Sequence, residues 1–177
     1  MDEARLVNLL GALALRLVDG LHHEAFATLG YGGESAAALV TLGVEPGFSI
    51  NDLRQALQLS HPGTVRLVDR LAQQGWVERR PGSDGRTVAL FLTDAGHAKR
   101  HQLLAARRNQ LQGAMQALTS EECAQLTPLL EKMLVAMTTS AAAAFAICRL
   151  CEEEVCPGDR CPVEQTYCQL ANLPQKP

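Results

Sequence analysis

Between Ser49 and Thr93 the chain switches from a helical to a strand period within a short span, and few folds accommodate that order. Ser49, with Asp52 three residues on, is an N-cap signal that opens a short helix, Ile50 to Leu57, with Leu53 and Leu57 facing inward. Ser60 caps a second helix that tolerates Pro62 in its first turn, runs to Gln74 and stops at Gly75. Trp76 to Arg80 and Thr87 to Leu92 then read as two strands. Pro81-Gly82-Ser83-Asp84-Gly85 joins them with residues that accept tight-turn backbone angles. A helix, a tight turn, a helix and a hairpin in this order make a winged helix-turn-helix.

The flanks are helical. Leu6, Leu10, Leu13, Leu17 and Leu21 form one apolar stripe on a long helix ended by Gly30, Gly32 and Gly33. Glu34 to Leu42 reads as a shorter helix, closed by Gly43 and Pro46-Gly47. Thr93 caps a helix running to about Leu118. The capping box Thr119-x-x-Glu122 opens another, striped by Leu126, Leu129, Leu130, Met133, Leu134 and Met137. Aromatic residues are 4% of a chain that is 47% hydrophobic, which favours helices packed on helices. The expected fold is therefore mainly α with a small β-hairpin wing. Its expected parts are a helical dimerisation region at 1–30 and 94–147, the winged helix-turn-helix at 34–93 and a cysteine-rich tail at 148–177. With no export signal and no apolar run able to cross a bilayer, the expectation is a cytoplasmic protein without a membrane partner.

Charge is distributed unevenly. The net charge is −3, yet from Ser60 to Arg108 nine Lys and Arg stand against four Asp and Glu. At 100° per residue, Thr64, Val65, Val68, Leu71 and Ala72 share one face of the second short helix. Pro62, Gly63, Arg66, Arg70 and Gln73 share the other. Two arginines beside small residues suit the major groove, where Arg bonds guanine O6 and N7. Arg79, Arg80 and Arg86 make the hairpin a basic wing for phosphates or the minor groove, with Asp84 placed to orient Arg86. Ser60, Pro62, Gly63, Thr64, Arg66, Arg70, Arg79, Arg80 and Arg86 are thus the candidate DNA-contacting residues. Exposed arginines taken singly are ordinary; what is specific is their placement on this motif. No Gly-rich phosphate loop, no Ser/His/Asp arrangement and no His pair at metal-ligand spacing on a helix points to an enzyme.

Leu59-Ser60, the run Thr64 to Leu71, Gly75 to Arg80, Asp84-Gly85-Arg86 and Leu92 to Gly96 together resemble the MarR family of bacterial regulators, over about Leu6 to Met137. The resemblance implies a homodimer with entwined N- and C-terminal helices, a pseudo-palindromic double-stranded operator, and repression relieved by small molecules or oxidants. It aligns Pro62, Thr64, Arg66 and Arg70 with the recognition helix and Asp84 and Arg86 with the wing signature. Gly63 departs from the usual hydroxyl residue there.

Five of the six cysteines, Cys148, Cys151, Cys156, Cys161 and Cys168, fall in the last thirty residues among Glu, Pro and Gly. So polar and turn-rich a segment is not expected to bury thiols in a core, and crowded thiolates repel one another unless a cation gathers them. Cys148, Cys151, Cys156 and Cys161 are the candidate ligands of one metal centre, with Cys168 the substitute for Cys161. One close pair, wider gaps, and Pro directly after Cys156 and Cys161 favour an iron–sulfur cluster. Zinc and a thiol–disulfide switch stay open. The alternative functions are a small redox or electron-transfer protein built on this tail, and a MarR-like regulator answering a phenolic ligand with a purely structural zinc.

Overall fold

The structure, a computed structural model, describes residues 2–82 and 87–173, apart from the side chain of Phe26. Its elements run α1 (Glu3–Leu29), α2 (Gly33–Val44), α3 (Ile50–Leu57), α4 (His61–Gln73), β1 (Val77–Pro81), β2 (Val88–Leu92), α5 (Asp94–Met115), α6 (Ser120–Met137), α7 (Ala141–Cys148) and α8 (Pro162–Ala171).

The caps read from sequence set the helix starts. Ser49 Oγ accepts from the Asp52 amide at 3.2 Å, and the Asp52 carboxylate accepts from the Ser49 amide at 2.9 Å, so α3 opens with both orphan donors satisfied. Ser60 Oγ accepts from the Gly63 amide at 3.2 Å and starts α4. Gly75, at φ +70°, ends α4. Its amide reaches the Ala72 carbonyl at 2.9 Å, and the Trp76 amide reaches Leu71 at 3.0 Å. The left-handed turn favours glycine there.

β1 and β2 pair antiparallel, with Val77 opposite Leu92 and Pro81 opposite Val88. The segment before α3 adds a short third edge. The Gly47 amide donates to Leu90 O, and the Leu90 amide donates to Phe48 O, each at 2.9 Å.

α2 lies at the centre, buried continuously from Ser35 to Leu42. Leu39 and Leu42 join Leu53 of α3, Leu67, Val68 and Leu71 of α4, Val77, Leu90 and Leu92 of the hairpin, and Leu103 of α5 in one core. Each leucine buried there contributes about 1.5–3 kcal/mol of transfer free energy. α1 packs along α5. The outer stripes are unpartnered in the single chain: Leu6, Leu10 and Leu13 of α1 and Leu129, Leu130 and Met133 of α6 are all 42–59% exposed.

After α6 the chain turns at Thr138 to Ser140, and α7, capped by Ser140, folds back onto α3 and α8. One expectation is corrected, since the tail does not lack a core: Ala144, Cys161 and Val163 are buried together, flanked by Leu134, Ile147, Cys148 and Tyr167, and Cys168 is buried as well. The apolar Ala141–Ile147 run supplies the surface that the polar cysteine segment itself lacks. No helix among the described residues is long and apolar enough to cross a membrane.

Candidate nucleic-acid interface and thiol cluster

α4 buries Thr64, Leu67, Val68 and Leu71 and leaves His61, Pro62, Arg66 and Gln73 exposed. Leu67 belongs to the inner face although the helical wheel left it out, because α4 is held between α3 on one side and β1 on the other. Arg66 has no ion pair or hydrogen bond among the described residues. It is the exposed cation at the front of the helix, while Ser60 serves as the N-cap and Gly63 lies close against it.

The other predicted contacts separate by direction. Thr64 is fully buried, and its hydroxyl donates to the Ser60 carbonyl at 3.1 Å, so it supports the helix start and is turned away from any ligand. Arg70 is also turned in. One guanidinium nitrogen donates to Ser35 Oγ at 3.2 Å, and its Cζ lies 5.1 Å from the Tyr31 ring centroid. These two assignments are revised: Arg70 ties α4 to α2, and the outward face rests on Arg66.

Arg79 bonds Asp69 of α4 at 2.6 Å. Arg80 pairs with Glu78 and stacks over Phe91 at 4.6 Å. Both wing arginines stay half in solvent while anchored, and Asp69 latches the wing root to the helix it must accompany. Sequence spacing gave no signal for that pairing across elements. Asp84 and Arg86 fall outside the described residues. The Gly82 amide donates to Thr87 O at 2.8 Å, the last bond of the hairpin among the described residues.

In the tail, Cys148 ends α7, and the Cys151 amide turns back to the Cys148 carbonyl at 2.8 Å. Cys161 is the N-cap of α8, its sulfur accepting from the Glu164 amide at 3.5 Å. Cys148 lies near enough to Cys151 and Cys161, and Cys156 to Cys161, for each to influence the other's ionisation. No three His, Cys, Asp or Glu side chains among the described residues close on one point to hold an ion as they stand.

The ionisation of these thiols is split. Cys161 is drawn down to about 5 by the Cys148 bond and, against burial, by the Glu164 and Val163 amides and Cys156. The Cys148 bond also lowers Cys151, to about 7, with burial opposing and the Arg107 charge assisting. Cys156 is pushed up to about 11, first by burial and then by the Cys161 charge. Bonding to Cys151 and Cys161, followed by burial, pushes Cys148 up. Cys161, at a helix N-terminus, is therefore the thiol of the cluster most readily ionised, and the thiolate is the form in which sulfur is both nucleophile and metal ligand.

Beside the thiols is a cavity of about 450 Å³ between the C-terminal half of α2, Phe48, α7 and α8. All five tail cysteines line it, together with Phe145 and Tyr167. Cys168 faces it from α8, bonded to Glu164 at 3.9 Å. Cys123 lies half-buried at the start of α6 and does not line this cavity. Arg108 of α5, paired with Glu152 through a 3.2 Å contact from its Nε, pins the cysteine loop to the body of the molecule.

A family model described as the MarR family matches residues 29–87. The matched span runs from the end of α1 to the start of β2 and takes in α2, α3, α4 and β1. Over 100 residues the chain is 35% identical to the transcriptional repressor MprA of Escherichia coli K12, covering 55% of this chain and 57% of MprA. The chain thus spans little more than half the length of that curated relative. Wild-type apo MarR of E. coli superposes with a TM-score of 0.59 at 28% identity, over 76% of this chain and 98% of that one. A mutant of Staphylococcus aureus MepR bound to an oligodeoxyribonucleotide shares the fold at a TM-score of 0.58 and 21% identity, over 74% of this chain and 96% of that one. These likenesses are to regulators, and none of the three is described as an enzyme.

Proposed function

We propose that the chain is a homodimeric transcription repressor that reads a pseudo-palindromic double-stranded DNA operator with α4 and the wing. The observation that carries this reading is Arg66, exposed and unpaired on the outer face of a capped helix inside a MarR-family domain. No described residue pairs with that guanidinium, so it is available to a base edge. The wing arginines, held at Asp69 and Glu78, stand where phosphates of the adjacent groove would pass. A second copy of the chain covers the leucine stripes of α1 and α6. Exposed apolar surface of that extent is uncommon on a monomer and marks an interface.

The finer reading concerns the signal. Cys148, Cys151, Cys156 and Cys161 hold an iron–sulfur centre whose state sets DNA affinity. Soft thiolate donors suit iron–sulfur and zinc alike. The cavity beside the thiols has room for the larger of the two groups. When bound, the cluster supplies an electron-accepting or oxidant-labile group. The chain's own part is to present the thiolates, exclude solvent with Phe145 and Tyr167, and place cationic Arg107 near Cys151.

Anaerobically purified protein is expected to be brown and to absorb in the visible. Serine at Cys148, Cys151, Cys156 or Cys161 should remove the colour and the iron, whereas Cys123→Ser and Cys168→Ser should keep both. Iron analysis and absorption spectra of the six variants decide it. A colourless protein with one zinc per chain would replace the cluster by zinc, and a metal-free protein with titratable thiols would remove the centre. DNA titrations of loaded and chelator-stripped protein test whether the centre sets affinity.

A further inference from the structure

The tail packs on the DNA-reading lobe of its own chain. α7 meets it at two points, and each adjoins an element that must face DNA. Gln58 Nε2 donates to the Ala142 carbonyl at 3.1 Å. Gln58 is the left-handed C-cap of α3, at φ 54°, two residues before the Ser60 cap of α4. It lies in the turn that sets the angle between the two helices. The ring of Phe145 meets Phe48 edge-on at 6.4 Å. Phe48 accepts from the Leu90 amide and so belongs to the root of the wing.

The same helix ends on a thiol. Phe145 lies three residues, nearly one helical turn, before Cys148, and it also contacts Tyr167 of α8 at 6.4 Å, the helix that Cys161 caps. Phe48, Phe145, Tyr167 and the thiols share one cavity wall. The loop between the thiols is held at its start, with Leu150 packed on the main core and Glu152 paired to Arg108. With that end fixed, a change in what the thiols hold is taken up by α7 and α8.

We propose that the thiol site acts on DNA reading within its own chain, through α7, with Gln58 and Phe145 as the positioning residues that carry its state to the α3–α4 turn and the wing root. This rests on the regulator reading above and names its route. The alternative route runs through the last long helix and a dimer interface. That helix, α6, has no buried residue and meets the tail at α8, so its link to the recognition helix is longer. The coupling needed is modest: allosteric sites commonly shift affinity about 5- to 150-fold.

The test is the ratio of operator affinities between iron-loaded and chelator-stripped full-length protein, measured for wild type, Gln58→Asn, Phe145→Leu and Leu134→Ala. Asparagine keeps the left-handed backbone position and shortens the side chain away from Ala142. Iron content, visible spectrum and amide hydrogen exchange at 58–61 are read on the same samples. The wild-type ratio is expected to lie well above one, with slower exchange at 58–61 in one state than in the other. In Gln58→Asn and Phe145→Leu the ratio should fall towards one and the exchange difference should shrink, while iron and spectrum stay at wild-type levels. Leu134→Ala, on the α6 side of the tail, should keep the ratio. Ratios preserved in both α7-contact variants with the centre intact would overturn the α7 route alone, and collapse only in Leu134→Ala would move the route to the dimer helices. A wild-type ratio of one with a loaded centre would overturn this inference together with the reading that the centre sets affinity.

Discussion

Arg66→Ala is expected to lower affinity for the operator by about 1–3 kcal/mol, the discrimination that a bidentate arginine–guanine pair provides. By the relation of tenfold per ~1.4 kcal/mol, that is a loss of about 5- to 150-fold. The loss should be confined to specific DNA, because the side chain is exposed and makes no hydrogen bond or ion pair to any described residue. Affinity for a scrambled duplex should change far less, and the unfolding midpoint should not move. Arg70→Ala should behave in the opposite way. Its guanidinium bonds Ser35 and covers Tyr31, so its removal should weaken the α2–α4 junction and lower stability more than sequence preference. Anisotropy titrations on operator and scrambled DNA, with thermal melts of the same samples, separate the two. Equal, sequence-independent losses for both arginines would contradict the assignment of the base-reading role to Arg66.

Gly96→Ala is expected to destabilise the fold by about 3 kcal/mol, at the upper end of the usual cost of overpacking. A Cβ on Gly96 would lie 2.0 Å from the Trp76 carbonyl oxygen and 3.3 Å from Leu92 Cβ. The first neighbour is backbone and cannot rotate away. It is also in use: the Thr93 amide donates to Trp76 O at 3.1 Å, and Thr93 Oγ1 donates to Gly75 O at 2.5 Å. The end of α4, the start of β1, the end of β2 and the start of α5 are tied at this point. Displacing it spreads into both the reading helix and the wing. Against a typical total stability of about 5–15 kcal/mol, this is a large share, and chemical denaturation should show the midpoint falling steeply. An unchanged midpoint would mean that the helix and strand ends are not joined as closely as the structure has them.

Local chemistry made most of the winged lobe legible in the sequence. The Ser49 and Thr119 capping boxes each satisfy two backbone donors with neighbours three residues away, so α3 and α6 start where the residues say they must. Gly75, at a positive φ, ended α4 for an equally local reason. What the sequence misplaced depends on contacts between distant segments. Arg70 shares a wheel face with Arg66, but its long side chain reaches back to Ser35, 35 residues away, so a helical wheel assigns it to the wrong side. The Ala141–Ile147 run has no polar face to orient it, and its fold-back onto the lobe rests on distant partners, Ala142 meeting Gln58, 84 residues away, and Phe145 meeting Phe48. The thiols were legible as a cluster from their spacing. Their pairing and their shared cavity with Phe48 depend on that same fold-back.

The central claim is that this chain reads a two-fold operator as a dimer, and a hydroxyl-radical footprint on the DNA flanking its own coding region tests it most directly. The account predicts two protected patches related by two-fold symmetry, with centres about one helical turn (~10 bp) or a multiple of it apart. Protection should weaken as salt rises, while the pattern stays the same. A single asymmetric patch, or no protection even at low salt, would contradict it.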